Sequence, residues 1–338
     1  MDDIKPTVLV LAGAGTKGIY GYLGPIYVLQ KTNWLNKVHT FAGTSIGSFF
    51  AACICLGFNM KDLITFAWSL NYCKYASKIS ISKFLQKGFG TDTMIVKEWL
   101  QTLILKKLGK KDITLKELYE YSGKTFICNS IYKPDDESTP IHKIYSWKTN
   151  PNHYLSDVVQ YSCNLPILFE SNFVDGGVIN NFLIDQFDDK KEKILGIRFK
   201  KIFPNGMKNK INSSKDFENE QSDFNQVDEG SETSENDDTG INFDENLLFT
   251  EILASMNHPG LSTIHLFKNL LWVFMVQNQE LENLRYKNIT HDVIQLQPLN
   301  LTTFSIFVSD KDKISMFYKS IYTTIIYLRN KIKILQTL

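Results

Sequence analysis

Two short apolar runs near the start of the chain, each emptying into a glycine-punctuated turn, constrain the fold more than anything else in the sequence. Residues 7–11 (TVLVL) and 38–42 (VHTFA) read as strands, and each turn opens a helical pattern. The order is βαβα, with both turns at the C-terminal ends of their strands.

The second turn, Gly43-Thr44-Ser45-Ile46-Gly47, has the form G-x-S-x-G. In that form a serine sits on a sharp strand-to-helix bend with its hydroxyl clear of the sheet. A Cβ at either flanking glycine would collide with the neighbouring strand or helix. Ser45 is therefore a candidate nucleophile; the alternative is a loop serine that caps the following helix.

The first turn, Gly13-Ala14-Gly15-Thr16-Lys17-Gly18, fits three patterns. A dinucleotide fingerprint requires an acid about 20 residues further on, and no Asp or Glu stands between Pro6 and Lys61. A phosphate-binding P-loop requires Ser or Thr after the lysine, where this chain has Gly18. The third pattern is a loop of backbone N–H groups aimed at an anion that forms during reaction, and it alone explains a nucleophile elbow on the next strand. A serine of this kind needs a base. Downstream, Asp175-Gly176-Gly177 follows a short apolar run and places a carboxylate at a strand end; the alternative is an ordinary Asp-Gly turn.

Together these pieces resemble the patatin-like phospholipase family. The matching residues are Gly13 to Ile19, the elbow Gly43 to Gly47, and Asp175-Gly176-Gly177-Val178 with Asn180 and Asn181 after it. Cys163-Asn164-Leu165-Pro166 with Phe169 is similar to a further segment of that family, with Cys163 where a small polar residue is usual. The resemblance implies a three-layer α/β/α patatin-like fold with a mainly parallel sheet and a helical lid region. It also implies a Ser45–Asp175 dyad that hydrolyses phospholipid or other lipid esters through an acyl-enzyme. Backbone N–H groups of Gly13, Ala14, Gly15, Thr16, Lys17 and Ile46 would hold the oxyanion, with Gly18, Gly43, Gly47, Gly176 and Gly177 supporting the turns. Ala14 departs from the glycine that many members carry, which would cost about 1 kcal/mol if that position needs a positive φ.

Two competing readings remain at this point. A Ser-His-Asp hydrolase needs a histidine after its acid, and of His258, His265 and His291 only His291 stands on a loop suited to a triad. An inactive, membrane-binding scaffold could keep the same fold.

The remaining sequence sets boundaries. With 338 residues and 43% hydrophobic content the chain can bury a sizeable core, and a net charge of +1 gives no reason to expect nucleic acid. Five cysteines without a C-x-x-C pair point to free thiols in a reducing compartment, hence a cytoplasmic setting with peripheral membrane contact. No signal peptide is readable, and no apolar run approaches the ~18 residues of a membrane span. No cofactor is implied, no metal ligand spacing is present, and a calcium loop pattern is absent from the acidic stretch.

Along the chain, residues 1–204 are expected to form the catalytic core, 205–245 an acidic, disordered insertion, and 246–338 helices and a strand completing the same domain. Residues 71–90, where aromatics are interleaved with lysines, read as an ordinary amphipathic surface segment, with part of a lid as the alternative; 264–284 and 311–335 read as helices. Gly18, Gly21 and Gly24 form a small-residue face for close helix packing, and Pro25 starts or kinks its helix.

Overall fold

The structure, a computed structural model, describes residues 4–70, 94–134, 139–165, 171–187, 191–200, 291–299 and 308–336. The chain divides into two compact units, Met1–Lys201 with Met275–Leu338, and Ile202–Phe274; every described residue belongs to the first. The expected surface or lid segment at 71–90, the acidic insertion at 205–245 and the helix at 264–284 lie outside the described residues.

The strands are β1 (Val8–Leu11), β2 (Thr40–Gly43), β3 (Thr125–Tyr132), β4 (Ile141–Tyr145), β5 (Phe173–Asp175), β6 (Ile194–Phe199) and β7 (Asp292–Leu296). They form one sheet in the order β4-β3-β2-β1-β6-β7, with β5 paired to β3 off that path. The pairs from β3 through β7 are parallel, while β4 and β5 run antiparallel to β3. The helices are α1 (Gly15–Gly21), α2 (Leu23–Lys31), α3 (Ile46–Cys55), α4 (Met60–Ser69), α5 (Ile95–Leu108), α6 (Leu115–Ser122), α7 (Leu155–Ser162) and α8 (Asp310–Gln336). The fold is thus mixed α/β, with a central, mostly parallel sheet flanked by helices.

β1 is apolar throughout because it is buried on both faces. Leu9 and Leu11 join Phe41, Leu195 and Ile197 in the large core shared with the helices. Val8, Val10 and Ala42 face the other way and pack with Phe182, Leu183 and Ile184 of the one-turn 3-10 segment that begins at Leu183.

The helix after the first turn is broken in two at Tyr22. Pro25 is the third residue of α2 and has no N–H to continue the ladder back to Gly21, so α1 ends there and a new helix starts. The small-residue face expected on this segment meets three partners rather than one. A Cβ on Gly18 would approach Ile46 of the elbow helix to 2.6 Å, one on Gly21 would strike the Phe199 ring of β6, and one on Gly24 would lie 2.7 Å from the Ile321 amide nitrogen of α8. Glycine at 24 therefore lets α8 lie directly on α2.

α3 closes with a paired Schellman arrangement: the Phe58 N–H donates to the Cys53 carbonyl at 3.1 Å and the Gly57 N–H to the Ile54 carbonyl at 3.0 Å, with Gly57 at φ 76°. The sequence reading assigns nothing to 109–124, yet α6 occupies part of it, started by a capping box between Thr114 and Glu117. α5 has Met94 at its N-cap and Ile95 as its first helical residue. Among the described residues, no helix is long and apolar enough to cross a membrane.

Candidate active site

Ser45 sits between β2 and α3 with φ 53° and ψ −131°, a left-handed backbone that a non-glycine residue adopts only under external restraint. The restraints are visible. The Ser45 N–H donates to Ser162 Oγ at 2.9 Å, and Ser48 Oγ donates to the Ser45 carbonyl at 2.6 Å. Thr44 is fixed on both sides, its N–H donating to the Leu11 carbonyl at 3.1 Å and its hydroxyl to Asn129 Oδ1 at 2.9 Å. The flanking glycines are sterically required: a Cβ on Gly47 would lie 2.4 Å from the Leu11 carbonyl oxygen, and one on Gly43 2.4 Å from the Gly47 carbonyl carbon. Although Ser45 occupies the N-cap position of α3, its side chain makes no capping hydrogen bond, so the helix-capping alternative fails.

Sheet register brings Asp175 to this hydroxyl. The inner half of β3 pairs with β2, ending at Gly43 opposite Cys128; its outer half pairs with β5, with Asp175 opposite Ser130. Ser45 and Asp175 each stand two positions beyond that last β2 pair, one along the elbow and one along β3. The Ser45 side chain reaches the Asp175 carboxyl closely enough to draw its ionisation down. The Gly177 N–H donates to Asp175 Oδ1 at 2.7 Å, and the Asp175 N–H to the Asn164 carbonyl at 2.7 Å. Asp175 is 3% exposed, and this burial pushes its carboxyl up to about 6 against the opposing pull of the Ser45 side chain and the Gly177 N–H. Gly176 packs against Asn129, whose amide donates to the carbonyls of Gly176 at 3.3 Å and Asn180 at 3.0 Å.

The glycine loop lies against the same elbow, since a Cβ on Gly13 would come 3.3 Å from Ser45 Cβ. Gly13 is clamped reciprocally by Asn181: its N–H donates to the Asn181 carbonyl at 2.9 Å, and Asn181 Nδ2 donates to the Gly13 carbonyl at 3.1 Å. Its N–H is therefore already engaged. By contrast, the N–H groups of Ala14, Gly15, Thr16 and Ile46 meet no acceptor among the described residues. Ala14 takes φ −147°, so alanine incurs no left-handed penalty there; the positive φ falls on Gly15, at 55°. The Lys17 ammonium lies 5.5 Å from the centroid of the Phe199 ring.

Cys163 is buried where the thiol meets the side chains of Ser45 and Ser48, and burial together with the Asp175 charge pushes it well above its ordinary value, so it stays a neutral thiol. Cys53, Cys55 and Cys128 are likewise buried and unpaired, while Cys73 lies outside the described residues.

The histidine alternative does not survive the topology. His291 precedes the first residue of β7, whereas Ser45 follows the last residue of β2; with β2, β1, β6 and β7 all parallel, the two stand at opposite ends of the sheet and three strand spacings apart. His258 and His265 lie outside the described residues. The sequence reading missed Ser162, Ser48, Asn129 and His142, whose Nε2 lies 3.1 Å from Asn129 Nδ2. Ser48 stands one residue past the elbow motif; the others are reached only through long-range pairing. Among the described residues, no group of three His, Cys, Asp or Glu side chains could hold a metal ion.

A mostly parallel α/β sheet with a strained serine at one strand end and a buried carboxylate beside it defines the class as an α/β protein with a strand-to-helix serine turn. The profile of patatin-like phospholipases matches residues 9–188, more than half of the chain, and the chain belongs to that family. It is 29% identical over 214 residues to probable lipid hydrolase 463L of Invertebrate iridescent virus 6, covering 56% of this chain and 68% of that one. It is 34% identical over 102 residues to uncharacterized protein L620 of Acanthamoeba polyphaga mimivirus, covering 26% and 27%. Among solved structures, VipD from Legionella pneumophila superposes with a TM-score of 0.51 over 96% of this chain and 67% of that chain at 14% identity, a likeness of fold alone.

Proposed function

We propose that the protein is a lipid acyl hydrolase that cleaves carboxylic esters of phospholipids or related lipids, with Ser45 as nucleophile and Asp175 as base. The observation that carries this reading is a buried carboxylate set against the Ser45 side chain at a strained elbow. As Ser45 Oγ attacks the ester carbonyl, its proton passes to Asp175, and the leaving alcohol takes that proton as the acyl-serine forms. Water then attacks the acyl-serine and gives a proton to Asp175, which passes it to Ser45 Oγ as the acyl–oxygen bond breaks and the fatty acid leaves. The negative charge on the tetrahedral carbonyl oxygen is met by the unpaired N–H groups of Ile46 and of the Ala14-Gly15-Thr16 turn, where two helix N-termini add their positive ends. Gly13, held by Asn181, acts as the fixed strut beneath that turn. Lipid as the substrate class is supported by family membership and by the name of the iridescent virus relative; contact with the lipid surface is peripheral.

The test is hydrolysis of a short-chain chromogenic ester by the purified protein with Ser45→Ala and Asp175→Asn. Each variant is expected to fall by at least about a thousandfold in kcat. Undiminished turnover in either one refutes the role assigned to that residue, and absence of labelling of Ser45 by a fluorophosphonate in the unmodified protein refutes the reading as a whole.

A further inference from the structure

α8 packs one face on α2 through Gly24 and leaves another face in solvent. On that outer face the residues read Lys311, Ile314, Tyr318, Tyr322, Ile325 and Arg329, with steps of three, four, four, three and four, which align along one side of a helix. Ile314 is 46% exposed, Tyr318 64%, Tyr322 67% and Ile325 36%. Four large apolar or aromatic side chains in one exposed row mark an interaction surface rather than scattered surface residues. Lys311 and Arg329, which close the row at its two ends, form no ion pair among the described residues, and neither does Lys319 on the flank. The nearby acid Asp310 is matched by Lys313 at 2.8 Å. The row spans about 27 Å at 1.5 Å per residue.

The charges decide what this row fits. A second copy laid antiparallel would set Lys311 against Arg329, and one laid parallel would set each cation against itself, so both pairings bury like charges. An anionic bilayer has no such conflict. It receives the isoleucines at the headgroup–acyl boundary, keeps the tyrosine hydroxyls among the headgroups, and attracts a cation at each end of the row. The geometry points to the outer face of α8, from Lys311 to Arg329, as the surface by which the protein lies on anionic membranes. This inference rests on the lipid-hydrolase reading for its purpose, though not for its measurement.

The test is co-sedimentation of the full chain with phosphatidylcholine vesicles, with and without phosphatidylserine. The protein is expected to partition roughly tenfold more strongly onto the anionic vesicles, an advantage that fades as salt rises. Tyr318→Ser with Tyr322→Ser, and separately Lys311→Glu with Arg329→Glu, should each lower binding to anionic vesicles roughly tenfold. Both pairs should leave turnover of a soluble short-chain ester unchanged, since none of these side chains belongs to the site around Ser45. Unaltered vesicle binding by both pairs, or no vesicle binding by the unmodified protein, overturns the proposal. So does a shift from dimer to monomer in sedimentation velocity with vesicle binding intact, which would identify a second copy as the occupant. If the soluble ester is not turned over by any form, the hydrolase reading fails on its own while the vesicle measurements still decide this one.

Discussion

Ser45 holds a backbone conformation that costs on the order of 1–3 kcal/mol, and the molecule retains it because Ser162, Ser48 and the glycines at 43 and 47 leave no relaxed alternative. The flanking glycines were legible in sequence, since their constraint is local: a strand, a turn and a helix within five residues. Ser162 and Asn129 were not, because they reach the elbow from α7 and the middle of β3. Asp175 carries a second cost. Its carboxyl ionises near 3.8 when solvated and at about 6 in the fold. A carboxyl raised on folding stabilises the protein below the unfolded value, and that contribution is lost as pH climbs through the folded value, here between about 4 and 6. At the usual 1.4 kcal/mol per pH unit, the penalty at neutral pH is on the order of 3 kcal/mol. Asp175→Asn is therefore expected to melt above the unmodified protein at pH 8 in differential scanning calorimetry, the two converging near pH 4. The same titration should appear in catalysis, with kcat/KM for a soluble ester rising as pH passes about 6 and levelling above it.

At the scale of elements, the strongest sequence signals were the ones whose cause is short-range. β1 and β2 were recognisable because burial on both faces leaves no polar alternation to confuse the pattern. Pro25 announced the break between α1 and α2. The outer half of β3 did not announce itself: residues 130–132 join the sheet by pairing with β4 and β5, partners a dozen and more than forty positions away. α6 was overlooked although its capping box is written in Thr114 and Glu117 and Leu115, Leu118 and Tyr119 recur at helical spacing, because eight residues give that pattern only about two turns in which to show itself. The glycine row of α1 and α2 gives the sharpest element-level prediction. Gly24→Val would drive methyl groups into the Ile321 amide and the Phe317 carbonyl of α8, so thermal denaturation should show a loss of about 2–4 kcal/mol, whereas Gly109→Asn at an open left-handed cap should change stability by less than about 1 kcal/mol.

For the whole molecule, the class of fold followed from the βαβα start, while the sheet order did not. Placing β6 and β7 beside β1 requires the chain to return from beyond residue 190 and again from beyond residue 290 to the edge opposite β3, and no local pattern encodes that return. The proposed pairing of Ser45 with Asp175 has the same non-local origin, for the two meet only where β2 and β5 share β3 end to end. β5 has three residues and, among the described residues, pairs in the sheet with β3 alone, so fewer ladder contacts hold it than hold the buried centre at β1. Warming should then detach this short splint first. Esterase activity is expected to vanish several degrees below the far-ultraviolet circular dichroism transition and to return on cooling; coincident loss of both would show the splint to be as firm as the centre. A protein made this way is disarmed by heat before it is dismantled, and the switch is a fragment of chain three residues long.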